Sequence, residues 1–576
     1  MSRDEPRLDL AAVRLELQRT GDGAFRDTAW LRRSLAEPAA FTSALLLLQA
    51  ALAPPPLKSS VEAGYDLYHD LVLRHVSSPH PALRVVEPDA GVRALGYGEL
   101  HALCSRRAAA WAAQGARAGE SLCLIGPVDA ELVIALMAAL RLGLLVSLLP
   151  PHGPDLITKR LAALRPDRVA AARRYQPLLR GTPSHDCLLA DEPPGPLGPQ
   201  VEARSHTYGP DDPVLRLFSP LRDPPTEAMS VTASEAFLGA LRDGLLFLSL
   251  QPGRSLAAPG SPLLQVQPAL LLATLLQGAT FVALTPADLA HAGGQKALDA
   301  VQVLFVTAAV RDTLLGLPSR PLASLRLWLR DPLEPAAPTR WASWVEHCGL
   351  QRAAAAGLLY DAACGGGVLF SLRQTAVPPL PLQPVPGRRF TLLEPEGGGR
   401  PARGEQGVLE PLPGSPGLLL ARRDGAYLYA GTLQPSRAGQ RYPSAEVEDC
   451  AAALPFVRSA VVLLERGEAS EPLLLIFTGP EPLERAHRLA PRREALVRER
   501  LSARLGDELV PSEIVQYALL PRQRQGSVDR AWCLEQHRRD ALRAREASPI
   551  FQLLDRLRLS LVRPRPAAPL PTVRAR

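Results

Sequence analysis

"SLCLIGPVDAELVIALMAALRLGLLVSLLP", residues 121–150, is the stretch that decides the fold class. Residues 121–126 read as a buried strand, 130–143 as a helix and 144–150 as a second strand. Two apolar strands joined by a helix make a βαβ unit, whose parallel sheet must be covered on both faces. The same rhythm recurs further on. Residues 269–278 ("ALLLATLLQG") predict a helix, while 279–285, 301–307 and 325–330 predict strands. The class is therefore α/β with doubly wound sheets.

Outward from this core the pattern changes. Residues 1–56 predict two or three amphipathic helices that stop at Pro54-Pro55-Pro56, a helical N-terminal extension. A large N-terminal core is expected over 57–387. From about Arg388 the elements shorten ("RFTLLEP", "GVLEPLP", "AYLYAGT"), which predicts a small β subdomain over 388–432. A small α+β C-terminal domain follows over 433–537, with a long helix near 491–505, and a basic, proline-rich tail over 538–576. Within the tail, Ile550, Phe551, Leu554, Leu557 and Leu561 share one helical face, expected to dock on the protein itself or on a partner helix. Basic flanks leave a membrane surface as the alternative. There is no internal repeat.

A chain of 576 residues is too long for one ordinary domain. Its 47% hydrophobic and 21% charged residues place it among soluble globular proteins. The formal charge of +7 raises nucleic acid as a partner, but the arginines are dispersed and no aromatic residues interleave with them, so none is expected. Lysine is scarce: only Lys58, Lys159 and Lys296 occur. The seven scattered cysteines, with no C-x-x-C pair, predict a reduced, cytoplasmic setting without a zinc site. The charged opening "MSRDEPRLDL" does not read as a signal peptide, and the apolar run 44–53 is too short to span a bilayer, so no stable membrane insertion is expected.

Several segments, moderate one by one, fall in a telling order. They are "GYGELHALCSRRAAAWAAQGARAGESLCLIGPVDAELVIALMAALRLGLLVSLLPP" (96–151), "ALLLATLLQGATFVAL", "PLASLRLWL", "RRDGAYLYAGT", "GQRYPSAEVEDCAAALPFVRSAVVL" and "LVPSEIVQYALLPRQRQGSVDR". In that order they resemble the adenylate-forming superfamily of acyl-CoA synthetases, peptide-synthetase adenylation domains and luciferases, from about Tyr65 to Leu534. The resemblance implies that superfamily's fold, with a small mobile C-terminal domain. It also implies an activity: ATP activates a carboxylate as an acyl-adenylate, and the acyl group then passes to a thiol of CoA or a carrier protein.

That chemistry needs a glycine-rich phosphate loop with a lysine, a carboxylate for the ribose, oxygen ligands for Mg²⁺ and a mobile lysine. The residues at the matching positions are mostly different. The phosphate loop falls on "FSPLRDPPTEAMSVTAS" (218–234), where Ser219 and Pro225 fit the pattern. Its glycines become Pro220, Asp223 and Glu227, and its lysine becomes Thr226. Prolines remove N–H donors and two carboxylates would repel polyphosphate; Arg222 restores a single positive charge. The adenine and magnesium motif falls on "YDAAC": Tyr360 is retained, and Cys364 stands where a metal-ligating glutamate belongs. The following Gly365-Gly366-Gly367 reads as a flexible loop rather than a nucleotide loop. Leu419 occupies the ribose carboxylate position, and Gly431-Thr432 the following Gly-Arg pair. The hinge before Gly439 is about two residues short. Ser527 stands at the catalytic lysine's position in "GSVDR", with Arg522, Arg524 and Arg530 as the nearby cations. Glu446-Val447-Glu448 matches and is expected to open the C-terminal domain's first helix. The substrate pocket is bracketed by Gln265 and Ala363.

These substitutions predict an AMP-dependent synthetase-like pseudoenzyme that binds an acyl or amino-acid ligand, a carrier domain or a biosynthetic partner protein, with no cofactor. A divergent active ligase using ATP and Mg²⁺ is the alternative, and a scaffold acting through residues 1–56 and the tail is another. His185-Asp186-Cys187 reads as a loop between strands rather than a nucleophile group, and His69 and His75 read as exposed. No histidine pair has metal-ligand spacing.

Overall fold

The computed structural model describes residues 9–18, 29–52, 55–60, 62–87, 91–151, 153–179, 186–189, 205–217, 229–260, 266–332, 338–361, 365–371, 373, 381–388, 392–393, 406–409, 418–423, 426–432, 436–437, 440–441, 444–464, 472–524, 527–528 and 530–561. The chain divides into two compact units, Met1–Tyr442 with Gly467–Ser470, and Pro443–Arg466 with Glu471–Arg576.

The larger unit opens with α1 (Leu10–Gln18), α2 (Ala29–Ala36), α3 (Pro38–Leu52) and the short α4 (Leu67–Leu71). Leu10, Val13, Phe41, Leu45 and Leu48 belong to the unit's main hydrophobic cluster, so these N-terminal helices are part of the core. Strands β1 (Pro81–Val86) and β2 (Val92–Gly96) pair antiparallel, and α5 (Tyr97–Ala113) follows. Next come β3 (Ser121–Ile125), α6 (Ala130–Leu142), β4 (Leu145–Leu149), α7 (Pro154–Leu164), β5 (Arg168–Ala171), β6 (Asp186–Leu189), β7 (Pro213–Leu217) and β8 (Met229–Thr232). The opening stretch is thus the expected βαβ unit. Asp129 caps α6 by accepting from the Leu132 N–H at 2.9 Å, and Gly143 ends it in the left-handed region at φ 81°.

After α8 (Ala233–Arg242), which runs into a π-helical turn over Asp243–Phe247, a second sheet is laid down. Its elements are β9 (Ser255–Ala257), α9 (Gln267–Leu276), β10 (Thr280–Ala283), α10 (Ala292–Asp299), β11 (Val303–Val306), α11 (Ala308–Leu315), β12 (Leu327–Arg330), α12 (Pro338–His347), β13 (Ala354–Asp361), β14 (Gly366–Phe370) and β15 (Gln383–Pro384). The first sheet has the order β6-β5-β3-β4-β7-β8 and the second β15-β14-β13-β12-β11-β9-β10-β1-β2. The inner strands are parallel; β2, β8, β14 and β15 are antiparallel margins.

Residues alternate between two cores along each strand. Leu122 and Leu124 of β3 join the main cluster with α5, α6, α8 and α9, whereas Cys123 and Ile125 pack with α7. Val303 and Phe305 of β11 face the same main cluster, whereas Leu304 and Val306 pack with Trp328, Trp341 and Trp344. A strand buried on both faces has no polar side to show, which is why its sequence is a continuous apolar run.

The larger unit closes with a four-stranded antiparallel sheet of β16 (Leu392–Leu393), β17 (Gln406–Leu409), β18 (Leu418–Arg423) and β19 (Ala426–Thr432), and a small hairpin of β20 (Ser436–Arg437) and β21 (Gln440–Arg441).

The smaller unit holds α13 (Ser444–Ala452), β22 (Ser459–Leu464), β23 (Pro472–Phe477), α14 (Leu483–Leu505), β24 (Glu513–Tyr517), β25 (Gln523–Arg524), β26 (Ser527–Val528), α15 (Arg530–Arg538), α16 (Ala541–Ala547) and α17 (Pro549–Leu561). β23 pairs antiparallel with β22 and parallel with β24. Two sequence expectations need correction in this unit. Helix α14 begins at Leu483, eight residues before Pro491, which is exposed, so water can satisfy the carbonyl that its missing N–H leaves behind. Helix α17 leaves Ile550, Phe551, Leu554 and Leu557 of its apolar stripe exposed, so of the two expected modes the stripe does not take the one of docking on its own unit, and the partner helix stands. Helix α17 docks through polar groups: Asp555 accepts from the Leu520 N–H at 2.8 Å and Gln552 Nε2 donates to the Ala518 carbonyl at 2.8 Å. Ile550 and Leu554 remain 70% and 48% exposed.

Candidate functional site

The antiparallel pairing of Leu217 with Met229 brings together the two residues that flank segment 218–228, which the sequence resemblance assigned to a phosphate loop. Ser219, Arg222 and Thr226 themselves lie outside the described residues, as do Cys364, Gln265 and Ala363. Just beyond the segment, Thr232 and Glu235 form a capping box at the start of α8. The Glu235 N–H donates to Thr232 Oγ1 at 3.2 Å, and the Thr232 N–H donates to Glu235 Oε2 at 3.0 Å. A helix N-terminus is a ready anion site. Here the protein's own carboxylate already occupies it and adds a negative charge.

Tyr360, near the end of β13, is 8% exposed, and its hydroxyl has no hydrogen-bond partner. Burial first, and then the Asp243 carboxylate, raise its pKa far above the ordinary tyrosine value, so it is neutral. Gly365, beyond it, lies on α8. A Cβ on Gly365 would stand 2.8 Å from Val231 Cγ1 and 3.1 Å from the Ala236 N, and one on Gly239 would stand 2.7 Å from the Gly365 carbonyl oxygen. The tertiary fold therefore sets Gly365, five residues after Tyr360, beside Val231 and Ala236, which follow segment 218–228.

This contact also corrects the flexible-loop reading of Gly365-Gly366-Gly367. All three are buried, and Gly366 and Gly367 begin β14. Asp243 Oδ2 accepts from the Gly367 N–H at 2.7 Å, Arg242 Nη2 donates to the Gly367 carbonyl at 2.8 Å, and Arg242 Nε donates to Asp243 Oδ1 at 2.8 Å. The glycines are there because the helix and this buried ion pair come too close to the strand for a side chain.

Leu419 and Thr432 lie in β18 and β19. Leu419 pairs with Gly431, and Leu418 with Thr432. Ser527 lies in the smaller unit, in a two-strand ladder whose register partner is Arg524. Arg530 is not a free cation there. Its Nη2 donates to Glu448 Oε2 at 2.8 Å, its Nη1 bonds Glu448 Oε1 and donates to the Val462 carbonyl at 3.0 Å, and Glu448 Oε1 accepts from the Val462 N–H at 2.7 Å. Glu448, within α13, thus ties α13, β22 and α15 together; the helix itself opens at Ser444, two residues before the Glu446-Val447-Glu448 stretch expected to open it.

The remaining sequence candidates also find places. His75 is buried at 4% exposure, contrary to expectation, because residues 276–278 cover it: a Cβ on Gly278 would stand 2.8 Å from its ring. His69 is half-buried and pairs with Asp70 at 2.9 Å. Asp186 and Cys187 belong to β6, paired in register with Arg168 and Val169, so they are strand rather than loop residues. Among the described residues no group of three His, Cys, Asp or Glu side chains could hold a metal, and no helix is long and apolar enough to cross a membrane. At the start of α8, beside segment 218–228, stands the Glu235 carboxylate, and no lysine lies beyond Lys296 in the sequence.

The fold has close parallels among solved structures. It matches a double mutant of o-succinylbenzoate CoA synthetase from Bacillus subtilis, bound with a product analogue, at a TM-score of 0.61 and 15% identity over 81% of this chain and 98% of that one. It also matches NpsA-ThdA, an artificially fused adenylation-PCP di-domain NRPS from Klebsiella oxytoca, at a TM-score of 0.59 and 14% identity over 78% of this chain and 93% of that one. No protein-family model and no curated protein matches the sequence.

Proposed function

We propose, from the premise that this chain has the adenylate-forming fold, that it acts as a binding protein in which the ATP-dependent step has been lost. Its occupant is an acyl or amino-acid group, offered on a carrier domain or by a partner enzyme. One observation carries this reading: the smaller unit, where the resemblance puts the catalytic lysine, contains no lysine, since Lys58, Lys159 and Lys296 all belong to the larger one. A serine is neutral and several ångströms shorter than lysine, and losing one such electrostatic group costs about 10²-fold or more in rate. Arg530 is held by Glu448 and Val462 and is not available to replace it. Glu235 at the start of α8 supports the same conclusion, because its charge opposes polyphosphate. The likeness to an adenylation-PCP di-domain favours a carrier domain among the partners.

The test is ATP–pyrophosphate exchange over a panel of carboxylates, alongside melting with and without Mg²⁺-ATP and titration with an acyl-loaded carrier domain. The expected result is no exchange, an unchanged melting temperature with nucleotide, and saturable carrier binding. Exchange that disappears on Ser219→Ala or Arg524→Ala would overturn the reading.

A further inference from the structure

The edge of the nine-stranded sheet where its parallel strands begin carries arginines that the nucleotide end does not use. Arg254 immediately precedes β9, and Arg373 lies three residues beyond β14. Because β14 runs antiparallel to β13, Arg373 returns to the edge opposite Tyr360 and Gly366. Arg373 Nη2 donates to the Phe247 carbonyl at 2.9 Å and to Ser249 Oγ at 2.7 Å, which fixes it on the π-helical turn and the residues just after it. Helix α1 packs on that same turn and brings Arg14. Arg14 is only 9% exposed, and its Nε has no hydrogen-bond partner; the Arg373 Nε is also buried and unpartnered. Gln277, wholly buried with neither amide atom bonded, flanks the turn from the side of Gly244. Among the described residues none of Arg14, Arg254 and Arg373 has a carboxylate at ion-pair distance.

The three guanidinium groups act on one another. Arg373 is pushed down to about 10, by burial first and then by Arg254 and Arg14. Arg14 is lowered by burial and by Arg254. Arg254 is lowered by burial and by Arg326, which precedes β12 on the same edge and is exposed. Buried positive charges without a counter-charge are costly, and folded proteins pair them. Planar N–H forks close enough to depress one another's pKa suit an oxyanion with several acceptor oxygens.

We propose that Arg14, Arg254 and Arg373 form an oxyanion site that takes a phosphoryl group, on the sheet edge opposite the Tyr360 end. The site does not depend on the reading of the nucleotide positions. Its ligand is inorganic phosphate or a diphosphate whose second group reaches the exposed Arg326. The full chain should be titrated with phosphate, with pyrophosphate and with acetate at fixed ionic strength, and followed by calorimetric melting and by isothermal titration. Saturable stabilisation by phosphate or pyrophosphate beyond acetate is expected, with equal affinities indicating a single phosphoryl group and tighter pyrophosphate binding the diphosphate. Arg254→Gln, at a half-buried residue whose guanidinium pairs with no carboxylate among the described residues, should weaken binding by about tenfold or more. Arg14→Met should weaken it too, while raising the melting temperature without anion, since it removes a repelled buried charge. If Arg14→Met does not fold, Arg254→Gln decides alone. Stabilisation no greater than that by acetate, or equal binding by Arg254→Gln and the parent chain, overturns the proposal.

Discussion

Replacing Asp243 by alanine tests whether the buried pair with Arg242 holds β14 against α8. Asp243 is 1% exposed and Arg242 is 7% exposed. The substitution removes the acceptor of both Arg242 Nε and the Gly367 N–H, leaving a buried guanidinium whose remaining bond is to the Gly367 carbonyl. Breaking a buried pair by deleting one partner costs about 3–5 kcal/mol, most of it from the uncompensated charge. The larger unit spans about 440 residues, so an unfolding entropy of roughly 2.1 cal/mol/K per residue gives about 0.9 kcal/mol/K and a fall in its melting temperature of about 3–5 °C. Calorimetry is the suitable assay, because two compact units need not melt together. The combined change Asp243→Leu with Arg242→Met should recover about half of the loss or more, since it removes both charges and preserves volume. A fall below about 1 °C for Asp243→Ala, or a double variant no more stable than the single one, would refute the reasoning.

Three further outcomes are expected from the same structure. His75 accepts a hydrogen bond from Arg74 Nε on its Nε2 at 3.1 Å, and burial followed by the Arg74 charge lowers its pKa to about 3. The unfolded chain therefore binds a proton that the folded chain refuses between about pH 6.5 and 3, so stability falls by up to about 1.4 kcal/mol per unit of acidification in that window; denaturant midpoints measured against pH should flatten there in His75→Gln. Arg530→Ala should destabilise the smaller unit by about 1–3 kcal/mol, discounted toward the lower end because Arg530 is 40% exposed, and Arg530→Lys should not restore the loss, since one ammonium cannot serve both Glu448 oxygens and the Val462 carbonyl. Urea titration of these variants checks both statements. Ser527→Lys alone should leave ATP–pyrophosphate exchange undetectable, because the Glu235 cap and the residues of the phosphate-loop segment are unchanged; measurable exchange in that variant would place the whole defect at one position.

Much of the fold could be read from periodicity alone, because burial on both faces of a parallel sheet forces apolar runs of strand length separated by helices. The stretch from Ser121 to Pro150 and the strands around Phe281, Phe305 and Trp328 obey that rule. The absence of lysine beyond Lys296 is likewise a property of the sequence, and no folding can supply the missing ammonium. What the tertiary structure decided were relations between residues distant in the chain. Gly365, Gly366 and Gly367 look mobile until α8 and the Arg242–Asp243 pair are placed against them. Arg530 looks available until Glu448 is brought to it. His75 looks exposed until residues 276–278 cover it, and the apolar face of α17 looks buried until Gln552 and Asp555 are seen to make the contact instead. Local periodicity fixes which residues seek burial, but which groups meet is set by contacts closing over long loops, and no window of sequence contains both partners.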